Sequence, residues 1–195
     1  YAGRLLRRAP GFTAVAALTL ALGIGANAAI FSLVNGLVLR APAGVEAPER
    51  IVQVARSYES DPRWDNFSGP APQLSGREAR TLSGVAGYQG GAFAVGRGID
   101  TERVFGEYVT GSYFDVAGVR PHVGRLIQPG DAVEPGGHPV VVLSHGLWTR
   151  RYGGDPELVG RTIPIGNQPY EVIGVTPPGF SGVESIGTPP QLWIP

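Results

Sequence analysis

Chemistry needs particular side chains at particular spacings, and this chain offers few of them. Ser144 and His145 are neighbours that together would supply a nucleophile and a base. Adjacent residues at a helix start point apart, however, and no G-x-S-x-G surrounds the pair. Ser144 therefore reads as a helix N-cap, and no triad is assigned. His122, His138 and His145 are the three histidines; they have no ligand spacing such as H-x-x-x-H, and two of them adjoin prolines. The expectation is of solvated loop histidines, with no metal held. Asp61, Asp65, Asp131 and Glu134 fall in polar stretches, where turn carboxylates are expected in place of an acid–base pair.

Other chemistries are closed off by residue type. No cysteine is present, which excludes disulfides, thiolate metal sites and cysteine nucleophiles. All 16 basic residues are arginine, so the P-loop pattern G-x-x-x-x-G-K-[ST] has no lysine to build it. The glycines of 87–98 follow no strand-to-helix signature of a dinucleotide site and mark a twisted hairpin instead. Tyr113, Trp148 and Tyr152 are expected to pack a core rather than stack on a ligand. Sixteen acidic residues balance the arginines, so no net field draws nucleic acid. No catalytic, cofactor-binding or metal-binding residue is assigned, and no enzyme is expected.

The elements that would carry these residues come in two kinds. No charge occurs between Arg8 and Arg40, and 12–39 is dominated by Ala, Leu, Ile, Val, Phe and Gly. At about 1.5 Å per residue such a helix spans the roughly 30 Å hydrocarbon core of a bilayer, so 12–39 reads as one transmembrane helix. Arg4, Arg7 and Arg8 on one flank outnumber Arg40 on the other, which places the N-terminus in the cytoplasm and the rest outside. Residues 1–11 read as an interfacial cytoplasmic segment. Gly23, Gly25, Ala26, Ala28 and Ala29 offer a strip of small residues, and Asn27 and Asn35 fall on nearly one face; both features fit companion helices. The alternative is a secretory signal cleaved at Ala26-Asn27-Ala28, releasing a binding protein or enzyme. Against it, apolar residues continue through Leu39.

After a proline-containing linker at 40–49, the composition turns to short strands and turns. Strands are expected at 51–55, 85–95, 102–109, 140–143, 162–165 and 170–175. A polar loop is expected from Ser57 to Pro72, and a capped helix at 74–82 with Ser75 and Glu78 as its capping box. A helical turn should run from Gly111 to Gly118, a helix should follow Ser144, and Asp155-Pro156 should open another turn. Residues 192–195 read as the start of an element that the sequence does not finish, as in a piece of a longer protein. The fold class is α+β: one N-terminal transmembrane helix, then a mixed α/β domain of short strands and helices over 50–195.

The ordered runs VTGSYFDVAGVRPHVG (109–124), VVVLSHGLW (140–148), RYGGD (151–155), GRTI (160–163) and VIGVTPPGF (172–180) resemble the MacB-like periplasmic core domain of FtsX-type ABC transporter permeases. RAPGFT (8–13) and LTLALGIGAN (18–27) are similar to the first transmembrane helix of those permeases, especially the duplicated, ATPase-less kind common in acidobacteria. The resemblance implies a permease component of the inner membrane, with one helix, a periplasmic domain and three further helices that this chain lacks. It also implies contact with membrane lipid, a homodimer or paired permease halves, a separate cytoplasmic ATPase subunit and a periplasmic adaptor. The helix and the periplasmic domain would transmit ATP-driven motion mechanically, with no residue assigned to that role.

Overall fold

The computed structural model describes residues 10–34, 43–54, 56–58, 61–65, 81–132, 139–166, 168–183 and 187–195. The chain divides into two compact units, Tyr1–Arg40 and Ala41–Pro195.

The first unit contains helix α1, Pro10–Val34. It opens two residues before the expected Phe12 because proline suits a first helical turn, where its missing N–H has no intrahelical acceptor to meet. Its 25 residues reach about 37 Å. Pro10–Ser32 is long and apolar enough to cross a membrane, and none of it is buried. Thr19, the hydroxyl in its middle, donates to the Val15 carbonyl one turn back at 2.8 Å. Residues 1–9 and 35–42 lie outside the described residues, and with them the interfacial segment and the far end of the expected span.

The second unit is built on nine strands: β1 Arg56–Tyr58, β2 Asp61–Asp65, β3 Tyr88–Val95, β4 Glu102–Val109, β5 Val123–Gly124, β6 Val140–Leu143, β7 Thr162–Ile165, β8 Gln168–Val175 and β9 Leu192–Ile194. Two short helices accompany them, α2 Tyr113–Ala117 and α3 His145–Tyr152. Seven strands form one sheet in the order β5-β8-β6-β9-β4-β3-β7, and β7 also pairs with β8, so the sheet curls onto itself. The ring closes at Val95 opposite Ile165, reinforced by Gly96 N–H to Pro164 O and Gly166 N–H to Ala94 O. Two pairings, β4 with β9 and β6 with β8, are parallel; the others in this sheet are antiparallel.

Burial on both sides of the sheet follows from its sequence. In β6 every residue is apolar and buried: Val141 and Leu143 face one core with Leu147, Trp148 and Val104, while Val140 and Val142 face a second with Phe114, Phe180 and Trp193. Strand β9 alternates likewise, with Leu192 and Ile194 in the first core and Trp193 in the second. In β8, Val172 and Val175 share a face although three residues apart, because a register shift slides the pairing from Val141–Val172 to Val142–Gly174. Gly174 is required there: a Cβ would strike the Arg125 carbonyl, where the chain beyond β5 crosses it.

Several expectations are corrected. Residues 51–54 are not a strand; they have no ladder partner among the described residues, and Val52 and Val54 are exposed. The stretch expected as a polar loop from Ser57 contains β1 and β2, an antiparallel ribbon. Pro62 fits because a two-stranded ribbon is all edge, where a missing N–H is tolerated. Residues 192–194 are a central strand between β4 and β6. The first hairpin strand begins at Tyr88, not 85, and its turn takes in the short 3-10 segment Gly98–Asp100. β8 begins at Gln168, leaving a two-residue loop that opens on Gly166 at φ 60°. Part of the expected linker packs on the domain: Glu46 N–H donates to Ala117 O, and Val45 joins the second core. Residues 74–80 of the expected capped helix lie outside the described residues, and Leu82 is not helical.

Candidate functional site

The second core encloses a charged residue. Glu107, on the β4 face that turns toward α2, is buried, and its Oε2 accepts from the Tyr113 hydroxyl at 2.9 Å and from Trp193 Nε1 at 2.7 Å. Tyr113 Oη accepts in turn from the Val183 backbone N–H at 3.3 Å. One carboxylate thereby ties β4 to α2, to the central strand β9 and to the segment after Phe180. Burial, and then the Glu107 carboxylate, push the Tyr113 phenol well above its ordinary range, so it stays a proton donor. Charge-assisted bonds of this kind are stronger than neutral ones, and a buried charge without them would be costly.

Glu107 was not among the sequence candidates. The strand reads E-R-V-F-G-E-Y-V, in which the second Glu, like the first, looks like a solvent-facing residue. Only the cover of α2 and Phe180 over that face turns it inward. Beside Tyr113 lies a cleft of about 1020 Å³ lined among others by Ile51, Val52, Val54, Leu82, Val85 and Val116.

The candidates from the sequence are placed as follows. Ser144 caps α3, its Oγ accepting from Leu147 N–H at 3.1 Å, so its hydroxyl serves the backbone. Asp155 caps the turn Pro156–Leu158 in the same manner through Glu157 N–H. Asp131 takes a bidentate pair from Arg125 at 2.6 and 2.8 Å and the Gln128 N–H at 2.9 Å, a closed turn motif. Asp61 and Asp65 form the ends of β2, opposite Tyr58 and Arg56. Glu134 and His138 lie outside the described residues. The glycines of 87–98 belong to the hairpin β3–β4.

Tyr113 and Trp148 are buried, and Tyr152 packs against the first core. Arg150 and Arg151 on α3 both reach Glu102 at the start of β4, and Arg151 also donates to the Asp100 carbonyl.

Two of the three histidines do come together, contrary to the expectation of separate loop residues. The rings of His122 and His145 stand 4.9 Å apart, and each packs edge to face against Trp148 at 5.6 and 5.4 Å. Sequence spacing hides this because 22 positions separate them; the end of β8 joins them. His122 N–H donates to Val175 O, and Thr176 N–H donates to Leu143 O, two residues before His145. Among the described residues, no group of three or more His, Asp or Glu side chains is placed to hold a metal ion.

Comparison with known proteins gives a family match. The model of the MacB-like periplasmic core domain matches residues 13–195. Among solved structures, the extracellular domain of the noncanonic ABC-type transporter YknZ from Gram-positive bacteria superposes with a TM-score of 0.50 at 17% identity, over 64% of this chain and 60% of that one. The periplasmic region of MacB from Actinobacillus actinomycetemcomitans gives a TM-score of 0.46 at 18% identity, over 78% and 70%. The chain thus spans about 60% of the length of the Gram-positive domain. No curated protein matches it.

Proposed function

The chain belongs to the MacB-like periplasmic core domain family, and from that premise we propose that it is the permease component of an ABC-type export or mechanotransmission system. In this reading it couples a cytoplasmic ATPase to work outside the membrane. The observation that carries the proposal is the extent of the family match, from Thr13 in α1 through the curled sheet to Pro195. One continuous match takes in both an apolar helix able to cross a bilayer and the strand-rich domain. The helix would hold the protein in the inner membrane, N-terminus in the cytoplasm, with the domain periplasmic.

The domain's role in this reading is mechanical, without catalysis. Ser144, Asp155 and Asp131 are engaged in caps and turns, and Glu107 is an internal tie, which supports a body that moves as a unit. Its partners would be membrane lipid, a second permease copy or paired half, a separate ATPase subunit and a periplasmic adaptor.

The absence of cysteine makes the test direct. Ile99→Cys, at a fully exposed turn position, should react with a membrane-impermeant maleimide added to the periplasmic side of intact inner membranes. Arg4→Cys should react only after the membrane is opened, and the ATPase should co-purify with the full-length parent. A mature protein that begins near Ala29 and is free of the membrane would instead make it a released binding protein or enzyme.

A further inference from the structure

We propose that His122 and His145 form a two-imidazole site for a divalent first-row transition metal of the zinc, nickel or copper type. Imidazole is a favoured ligand for these ions. A metal bound about 2.1 Å from one nitrogen of each ring, with the two bonds roughly 90–110° apart, sets the ring centres about 5 Å apart. The rings stand 4.9 Å apart.

Their nitrogens are available for it. His145 is half-buried at the first position of α3, and its Nδ1 makes a long 3.5 Å contact with Thr149 Oγ1. With the proton on Nδ1 donated to that hydroxyl, Nε2 carries the lone pair, as in metal sites where the second ring nitrogen is held by an oxygen. Neither His145 Nε2 nor either ring nitrogen of His122 has a hydrogen-bond partner among the described residues. His122 is exposed, so its ring turns toward a shared ion without disturbing the core.

The scaffold holds the pair before any ion arrives. The bonds from His122 N–H to Val175 O and from Thr176 N–H to Leu143 O fasten both segments to the end of β8. Trp148 backs both rings and is itself locked by its Nε1 bond to Asp155 O at 2.9 Å. Holding the two backbone segments together in this way lowers the ordering cost of binding, which then falls on the turn of the His122 ring alone. Water completes the coordination sphere, which leaves the ion exchangeable. A bound ion would pin the loop before β5 to the start of α3.

The test is titration calorimetry of the untagged full chain in detergent micelles with Zn²⁺ alone. One ion per chain is expected, and His122→Ala and His145→Ala should each weaken binding about 10-fold or more, since even outer-shell partners of a metal ligand are worth that much. His138→Ala should leave it unchanged. Cu²⁺ should quench part of the tryptophan emission, that of Trp148, in the wild type and not in His122→Ala, an exposed position whose replacement should leave the circular dichroism unchanged. No binding by the wild type, undiminished wild-type affinity in His122→Ala or His145→Ala, or loss confined to His138→Ala would each overturn the proposal.

Discussion

Helix α1 and strand β6 are both uncharged, predominantly apolar runs, yet their side chains meet opposite surroundings. In α1, Leu22 is 76% and Phe12 75% exposed, and Leu18, Ile24 and Phe31 are exposed at other angles around the same axis. In β6, Val141, Val142 and Leu143 are completely buried. Composition is similar; what differs is the geometry of cover. A helix apolar on every side has no single face to lay against a protein core, so only an apolar surround such as a bilayer satisfies all of it. A strand has two faces, and β6 is covered on both, by Leu147 and Trp148 on one and by Phe114 and Trp193 on the other. The chain therefore uses hydrophobicity once to choose a solvent and once to build a fold.

That contrast predicts where a substitution is felt and by what measurement. The largest effect falls on the covered strand set. Trp193→Ala empties the centre of the second core and removes a donor from Glu107, and should cost about 3–5 kcal/mol. Denaturant unfolding followed by near-ultraviolet circular dichroism should show the loss; an unchanged midpoint would mean the two cores are not the basis of the domain. Next comes the helix. Leu22→Arg opposes membrane insertion by about 3 kcal/mol. Alkaline extraction of membranes should then release the variant, while the parent stays in the pellet. If both remain, the exposure of α1 has some other explanation.

How legible these regions were depended on whether their signal was local. Val140–Leu143, Glu102–Val109 and the Ser144 cap were readable because a β-branched run, a run of apolar and aromatic residues of β character and a cap each act within a few residues. Strand β9 was not: three residues near the end of the sequence show no periodicity, and only pairing to β4 and β6 makes them a strand. Residues 51–54 failed in the opposite direction, having strand composition but no partner among the described residues. Strand propensity states that a residue suits a pleated surface, and not that a surface is present. Glu107 and the His122–His145 pair share this cause. Their environments are made by segments far away in sequence, β9 in one case and the end of β8 in the other.

A smaller effect probes the polar tie within the apolar set. Tyr113→Phe keeps the ring contacts with Tyr88 and Phe114 and deletes the hydroxyl between Glu107 and Val183. The cost should be about 1–3 kcal/mol. The hydroxyl also sets an alkaline arm. Because the folded phenol is held above its ordinary pKa, by burial first and Glu107 second, the unfolded chain releases its proton above about pH 10 while the folded chain keeps it. The folded state then binds more protons, and stability falls as pH rises through that window. Below it the contribution is fully present. The Phe variant should lose this part of the alkaline slope; an identical slope in both proteins would show that the phenol is not held by this environment.

The smallest effect has the opposite sign. Thr176 follows β8, is completely buried, and its Oγ1 has no hydrogen-bond partner among the described residues, although its backbone N–H is satisfied by Leu143 O. A hydroxyl taken from water with nothing in return lowers stability, and Val has the same shape without it. Thr176→Val should therefore raise the unfolding free energy, by up to about 1 kcal/mol. Because Val fills the same space, no cavity term obscures the result, and the backbone bond that ties β8 to Leu143 is kept. A stabilised variant would extend the rule seen in β6, where apolar groups covered on both sides define the domain. A destabilised one would mean that the Thr176 hydroxyl finds a bonding partner in the folded protein, and that this end of β8, like Glu107, belongs to a polar tie.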